Sequence, residues 1–354
     1  MMPRHKPPRS LPDQIIRESL QHPASLREFL QDVVPHLATG FDCERARLID
    51  REFPMEDWRS READLPFEIP YRTAEEERLA LVCVLIEHQS DTDPLMPLRS
   101  LYFGVGYWDR QWKAWAALEP PRPPLRLSPV LPIVLYTGPT PWGSNRTMAD
   151  LLTEPQAFHV FAPVWEPLFW NLAEHSPQQL LNSGAAWLEL MSVMRVERAD
   201  AVEFQAVFAE AAQRLAALQG REEVRWSDFL RIVLTYASWR RPPAEGDTLT
   251  KIAMEANPTR KEEVRQMAQT IAEALIEEGR AEGRAEGRAE GRAEGRAEGE
   301  LGTQRENLRR LLLRKFQQLP DTILQRIETC ADVEKLKAAI DRVLDMKSLN
   351  EFDL

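Results

Sequence analysis

The spacing of apolar residues changes along the chain, and each change marks an element. Over 13–37, DQIIRESLQHPASLREFLQDVVPHL, the residues Ile15, Ile16, Leu20, Leu26, Phe29, Leu30 and Val33 recur every three or four positions. That period predicts two short amphipathic helices, broken at His22-Pro23 because proline disfavours helical backbone at the residue before it. At 63–72, ADLPFEIPYR, the pattern switches to alternation, with Leu65, Phe67 and Ile69 set against polar or small neighbours. This is the two-residue period of a half-buried strand, whose prolines suit a sheet edge or an irregular end. LALVCVLI at 79–86 is apolar at every position, as expected of a strand covered on both faces.

From about 97 to 117, LRSLYFGVGYWDRQWKAW returns to helical spacing, and SPVLPIVLYTG at 128–138 is a second strand-type run. Strand, helix and strand in that order form a βαβ unit, so the two strands should be parallel neighbours. From about 147 to 240 strand character is lost to helical stretches such as AAWLELMSVMRV, EFQAVFAEAAQRLAAL and SDFLRIVLTYASW. The expectation is an α/β domain with a helical extension over 1–245, interrupted by RPPAEGDT at 241–248.

Beyond it lies a linker, 246–300, dominated by a four-residue GRAE repeat with glycine at 279, 283, 287, 291, 295 and 299. In a helix its i,i+4 pairs set like against like, Arg280 with Arg284 and Glu282 with Glu286. Each interior glycine also costs about 1 kcal/mol relative to alanine, so an isolated helix here should fray. Two readings stand: a helical or semi-helical spacer, or a self-association segment in which glycine rows admit close backbone approach. The final stretch, 301–354, predicts three short helices around Pro320 and the Asp332 region, a small all-α C-terminal module.

Composition narrows the function. A 354-residue chain that is 43% hydrophobic can bury a sizeable core, and the net charge of −11 argues against coating nucleic acid by bulk electrostatics. An enzyme acting on DNA needs only a local basic rim, for which RHKPPR (4–9) and SWRRPP (238–243) are candidates; solvated loop charge is the plainer reading of both. No apolar stretch is long enough to cross a bilayer, and the opening MMPRHKPPRS lacks the apolar run of a signal peptide, so a cytoplasmic place without membrane contact is expected. Cys43, Cys83 and Cys330 have no metal-site spacing and read as ordinary buried thiols.

The chemistry gathers where the greasiest strand ends. LALVCVLI runs into Glu87, His88 and Gln89; side chains alternate across a strand, so Glu87 and Gln89 share one face and His88 takes the other. A carboxylate at the carboxyl end of a central parallel strand occupies the usual place for a site in an open α/β sheet. It needs a compensating charge, and a divalent cation supplies one. Asp64 opens the preceding strand, 23 residues upstream (87 − 64), a separation suited to bringing both acids to one end of adjacent strands. Two such hard oxygen ligands, completed by water and a substrate phosphate, make a Mg²⁺ (or Mn²⁺) site for phosphodiester hydrolysis, with Gln89 placed to orient the attacking water.

This constellation, D...ExQ with IEHQS closing a buried strand, then DPLMPLRSLYF and later PIVLYTG followed by Trp142, resembles the PD-(D/E)XK nuclease superfamily. Within it the chain is similar to the Rpn or YhgA-like group of recombination-promoting nucleases and transposases, over roughly 10–240. The resemblance implies a restriction-endonuclease-like core, a mixed sheet flanked by helices, that cleaves DNA with a divalent metal in recombination or transposition. It implies Asp64 and Glu87 as metal ligands, and Gln89 where most of the superfamily has lysine. Asp13 corresponds to the acidic residue of the family's first helix and is by that resemblance a further catalytic residue.

Alternatives accompany each residue. Glu87 is either a ligand or a strand-end acid paired with Arg99 or Arg72, Gln89 either positions water or satisfies backbone, and His88 reads as a packed, hydrogen-bonded histidine. Arg99 and Tyr102, one helical turn apart, face a phosphate or, for Tyr102, fill the core. The competing function is a decayed nuclease fold that binds DNA or a protein partner, with homo-oligomer formation through the repeat and helical tail.

Overall fold

A computed structural model of the chain describes residues 11–49, 52–55, 58–62, 64–72, 79–153, 159–161, 163–220 and 222–354. The basic run at 4–9 lies outside them. Three helices come first: α1 (Leu11–Gln21), α2 (Pro23–Val33) and α3 (Pro35–Ala38). Ile15, Ile16, Leu20, Leu26, Phe29 and Leu30 are buried as their spacing predicts. Val33 is only half-buried and Val34 takes the interior place, because the chain leaves helical backbone at Val34, with φ −135° and ψ 60°.

The strands are β1 (Arg47–Leu48), β2 (Glu52–Met55), β3 (Trp58–Glu62), β4 (Leu65–Arg72), β5 (Leu79–Gln89), β6 (Val130–Tyr136) and β7 (Leu168–Asn171). Five of them form a mixed sheet in the order β1-β4-β5-β6-β7, while β2 and β3 pair separately as a hairpin. β4 runs antiparallel to β5 with Leu65 opposite Ile86, and β5–β6 and β6–β7 are parallel. The parallel pair expected from the βαβ pattern is present, joined by α4 (Met96–Ala116).

β4 is not an edge strand; the two-residue β1 covers part of its outer side. Its prolines fit because the carbonyls of Pro66 and Pro70 point outward, accepting from Ile49 and Asp42, so the missing N–H groups fall on the side away from β5. β1, β2, β3 and β7 have no counterpart in the sequence pattern, and β7 corrects the expectation that 147–240 is free of strand. Four residues, Leu-Phe-Trp-Asn, are too few to display a period.

Side-chain alternation divides the sheet into two faces. Cys83 and Leu85 of β5 pack with Phe103 and Tyr107 of α4, and Val134 and Tyr136 of β6 pack with Met96 of α4 and Trp142. Gly104 lets α4 close on Trp165, whose ring lies 2.6 Å from where a β-carbon would stand and whose indole N–H donates to Ser100. The opposite face meets α1, α2 and the helical extension: α5 (Pro177–Leu181), α6 (Ala186–Arg195), α7 (Ala201–Ala216), α8 (Glu223–Arg240) and α9 (Gly246–Ala256). There Trp170 of β7 packs on Trp187 of α6 and donates to Asp32 of α2 at 2.5 Å. Burial pushes the Cys43 thiol up to about 11 and the Cys83 thiol up to about 12, which keeps both protonated and unreactive at neutral pH.

The SWRRPP run is committed to structure. Arg240 pairs with Glu197, and Arg241, 8% exposed, pairs with Glu245 and donates to two carbonyls. It is therefore not a free rim for a polyanion.

Glu189 of α6 is 2% exposed, and its Oε2 has no hydrogen-bond partner among the described residues. Burial pushes its carboxyl up to about 8, with Arg214 pulling back and Glu210 and Glu28 adding to the rise. The folded state therefore prefers the protonated acid. The cost of ionising it is absent below the ordinary value of 4.5, grows as pH rises and is fully present above about 8. Glu189→Gln should accordingly melt like wild type near pH 4.5 and be more stable at pH 9, by about 5 kcal/mol at most, measured by denaturant unfolding across that range.

Contacts divide the chain into two compact units, Met1–Ala272 and Glu273–Leu354. α10 (Lys261–Phe316) is helical through the whole repeat, so the first of the three tail helices is not a separate short one. The backbone does not break at the glycines because extending a helix is far easier than starting one, and strong helix formers flank the tract on both sides. Arg284 reaches back two turns to Glu277 at 2.6 Å, a pairing the four-residue repeat alone does not provide. α11 (Asp321–Thr329) and α12 (Val333–Val343) follow, the latter capped by Asp332, which accepts from the N–H groups of Glu334 and Lys335. Leu308, Leu312, Ile323, Ile327, Leu336, Ala339, Val343, Met346 and Phe352 form the core of this second unit.

Candidate functional site

The register of the β4–β5 pair places the two predicted carboxylates. Leu65 opposes Ile86, so the next step outward sets Asp64 against Glu87. Residues directly opposed in an antiparallel pair project to one face, here the face covered by α4. The Asp64 backbone N–H donates to Glu87 Oε1 at 3.3 Å, and the His88 N–H donates to Asp64 Oδ2 at 3.0 Å. Both acids thus stand at the carboxyl end of β5, beside the end of β6. Glu87 is 1% exposed, and Gln89, two residues on, is half-buried on the same face. The Gln89 carbonyl accepts from the Thr137 N–H at 2.9 Å, which leaves its side chain outside that backbone ladder.

Arg99, on the first turn of α4, approaches from above. Its Nη1 donates to Asp93 Oδ2 at 2.6 Å, and its Nη2 lies 3.9 Å from Glu87 Oε2. Arg72 is excluded as the partner of Glu87, because it pairs with Leu79 at the far end of β4. Tyr102 follows one turn later on α4 and is half-buried.

Asp13 does not join this group. His88 alternates to the other face, where it is 5% exposed and bridges two elements: its Nδ1 lies 2.5 Å from Asp13 Oδ1 of α1 and its Nε2 lies 2.7 Å from Thr137 Oγ1. A neutral imidazole satisfies both contacts, with Nδ1–H donating to Asp13 and Nε2 accepting the Thr137 hydroxyl proton. Asp13, expected as a catalytic residue, is thus held by His88, which alternates to the face of β5 opposite Glu87. The reading of His88 as a hydrogen-bonded histidine holds. His88→Ala strands two polar partners, so it should lower stability by about 2 kcal/mol, read as a shifted denaturant midpoint.

Sequence reasoning missed Asp93 and Thr137. The signal for Asp93 was its place just before α4 in DPLM, where an aspartate closes a turn by accepting from the N–H two residues on. For Thr137 it was register: Leu135 pairs with His88, and the same face recurs two residues later.

Among the described residues no three His, Cys, Asp or Glu side chains cluster to hold a metal. Two carboxylates do fit a hard divalent cation, since Mg²⁺ is commonly held by one or two, with water and substrate oxygens completing the octahedron. Among the described residues no helix is long and apolar enough to cross a membrane.

No curated protein and no solved structure matches the chain. A family model described as putative transposase, YhgA-like, matches residues 11–222. That span takes in α1, the whole sheet, the paired carboxylates and α4, and the chain belongs to the YhgA-like transposase family.

Proposed function

We propose that the chain is a divalent-cation-dependent endodeoxyribonuclease acting in DNA recombination or transposition. The observation that carries this reading is the opposition of Asp64 and Glu87 across β4 and β5 at the carboxyl end of the sheet. The mixed sheet with helices on both faces supports a restriction-endonuclease-like core, and family membership supports work on DNA.

In this reading Asp64 and Glu87 hold the cation. Mg²⁺ or Mn²⁺, when bound, neutralises charge on the attacked phosphate and makes a bound water a better nucleophile. Gln89 orients that water through its amide but takes up no proton, since an amide is not basic near neutral pH. Arg99 and Tyr102 bind the phosphate from α4. Asp13 acts through His88, pinning α1 to the strand end instead of touching the reacting atoms. The nuclease-like region spans 1–245, the repeat (246–300) tethers the helical module (301–354), and the tail is the place for self-association.

The test is conversion of supercoiled plasmid to nicked and linear forms by the purified chain. Cleavage is expected with Mg²⁺ or Mn²⁺ and none with excess chelator. DNA binding without cleavage under every divalent ion would establish the decayed, binding-only alternative.

A further inference from the structure

Arg99 stands between two carboxylates that hold it unequally. The contact to Asp93 is a short, charge-assisted hydrogen bond at 2.6 Å, whereas the approach to Glu87, at 3.9 Å, is beyond hydrogen-bond reach. Asp93 is itself fixed: its Oδ1 accepts from the Leu95 N–H at 2.9 Å and its carbonyl from the Met96 N–H at 3.1 Å. Its carboxylate is thereby built into the turn that starts α4. Arg99 is partly open to solvent, with 27% of its side chain exposed, while Glu87 is sealed at 1%.

A buried carboxylate demands positive charge, and the Arg99 guanidinium lies within 4 Å of Glu87. A divalent cation on Glu87 would satisfy the same demand, and the two positive groups would repel at this range. We propose that Arg99 is the built-in counter-cation of Glu87, competing with the divalent metal, and that Asp93 is a positioning residue that holds Arg99 back from Glu87 so that metal can enter. Asp93 thus sets the metal affinity of the site through Arg99. Once metal is bound, the anchored guanidinium still faces solvent at the strand ends, where its fork can meet a phosphate. This inference rests on the metal-binding reading of Asp64 and Glu87.

The experiment is Mn²⁺ titration by calorimetry of the full chain without DNA, for wild type, Arg99→Met, Asp93→Asn and the double variant. Arg99→Met retains an aliphatic stem, and Arg99→Gln serves as a second form in case packing suffers. Arg99→Met and Arg99→Gln should tighten Mn²⁺ about tenfold, because a competing charge is gone. Asp93→Asn should weaken Mn²⁺ about tenfold in the wild-type background, because Arg99 is released onto Glu87, and by less than about twofold when Arg99 is absent. An Asp93→Asn effect of equal size in both backgrounds would show Asp93 acting as a bare charge and would overturn the positioning role. Unchanged affinity in both Arg99 variants would overturn the counter-cation role. Failure of the metal reading itself has a different signature: wild type and Glu87→Ala alike would bind no Mn²⁺.

Discussion

Glu87→Ala should abolish plasmid cleavage and Mn²⁺ binding together, while Gln89→Ala should slow cleavage and leave Mn²⁺ affinity within about twofold. The difference follows from what each side chain offers. Glu87 supplies a charged oxygen at the closed end of β5, 1% exposed and opposite Asp64, and alanine leaves the cation with one carboxylate. Loss of a ligand removes both binding and the charge that the reaction needs, on the order of 10³-fold in rate or more, equivalent to about 4 kcal/mol. Gln89 has no charge to give; its amide can orient water, and a lost orienting hydrogen bond costs on the order of 10- to 100-fold. Glu87→Gln sharpens the comparison, because it keeps shape and volume and removes only the charge. Equal cleavage by wild type and Glu87→Ala would place the activity elsewhere or in a contaminant.

Replacing the six repeat glycines at 279, 283, 287, 291, 295 and 299 by alanine should raise the stability of that stretch of α10 by about 5 kcal/mol in sum. A β-carbon at any of them meets nothing within 4 Å, so no steric penalty offsets the gain in helix propensity. Arg288 and Arg296 donate to carbonyls one turn back within the same helix, contacts that alanine leaves intact. Hydrogen exchange should show the amides of 279–299 far better protected in the variant. If the tract is a spacer, sedimentation and cleavage stay as in wild type. Weakened self-association on adding methyl groups would show instead that the glycine rows carry a contact between chains.

Strong, long periods were legible in the sequence and short elements were not. Eight consecutive apolar residues before Glu87 gave β5, and the spacing of aromatics from 97 to 117 gave α4 to within a residue of its observed bounds. β1 and β7 hold two and four residues, too few for either period to declare itself, and they exist because the sheet offers paired neighbours. The Asp64–Glu87 relationship was readable because antiparallel pairing fixes partners by simple register. The contact of Asp13 with His88 was not legible, because which face of the sheet the first helix covers depends on tertiary packing. The Asp93–Arg99 bond spans six residues across a turn and a helix start, a geometry that neither the helical nor the strand period specifies. Local propensity alone would let an isolated repeat helix fray, and continuity with the flanking helical turns is what keeps the helical spacer helical throughout.

The paired carboxylates are the centre of the account, and crystals soaked in Mn²⁺ and measured at its absorption edge test them most directly. The expected result is an anomalous peak at the carboxyl end of β5, about 2.1 Å from a carboxylate oxygen of Asp64 and of Glu87, and lost in Glu87→Gln. Peaks confined to other carboxylates, with Glu87 still facing Arg99 and no metal between it and Asp64, would contradict it.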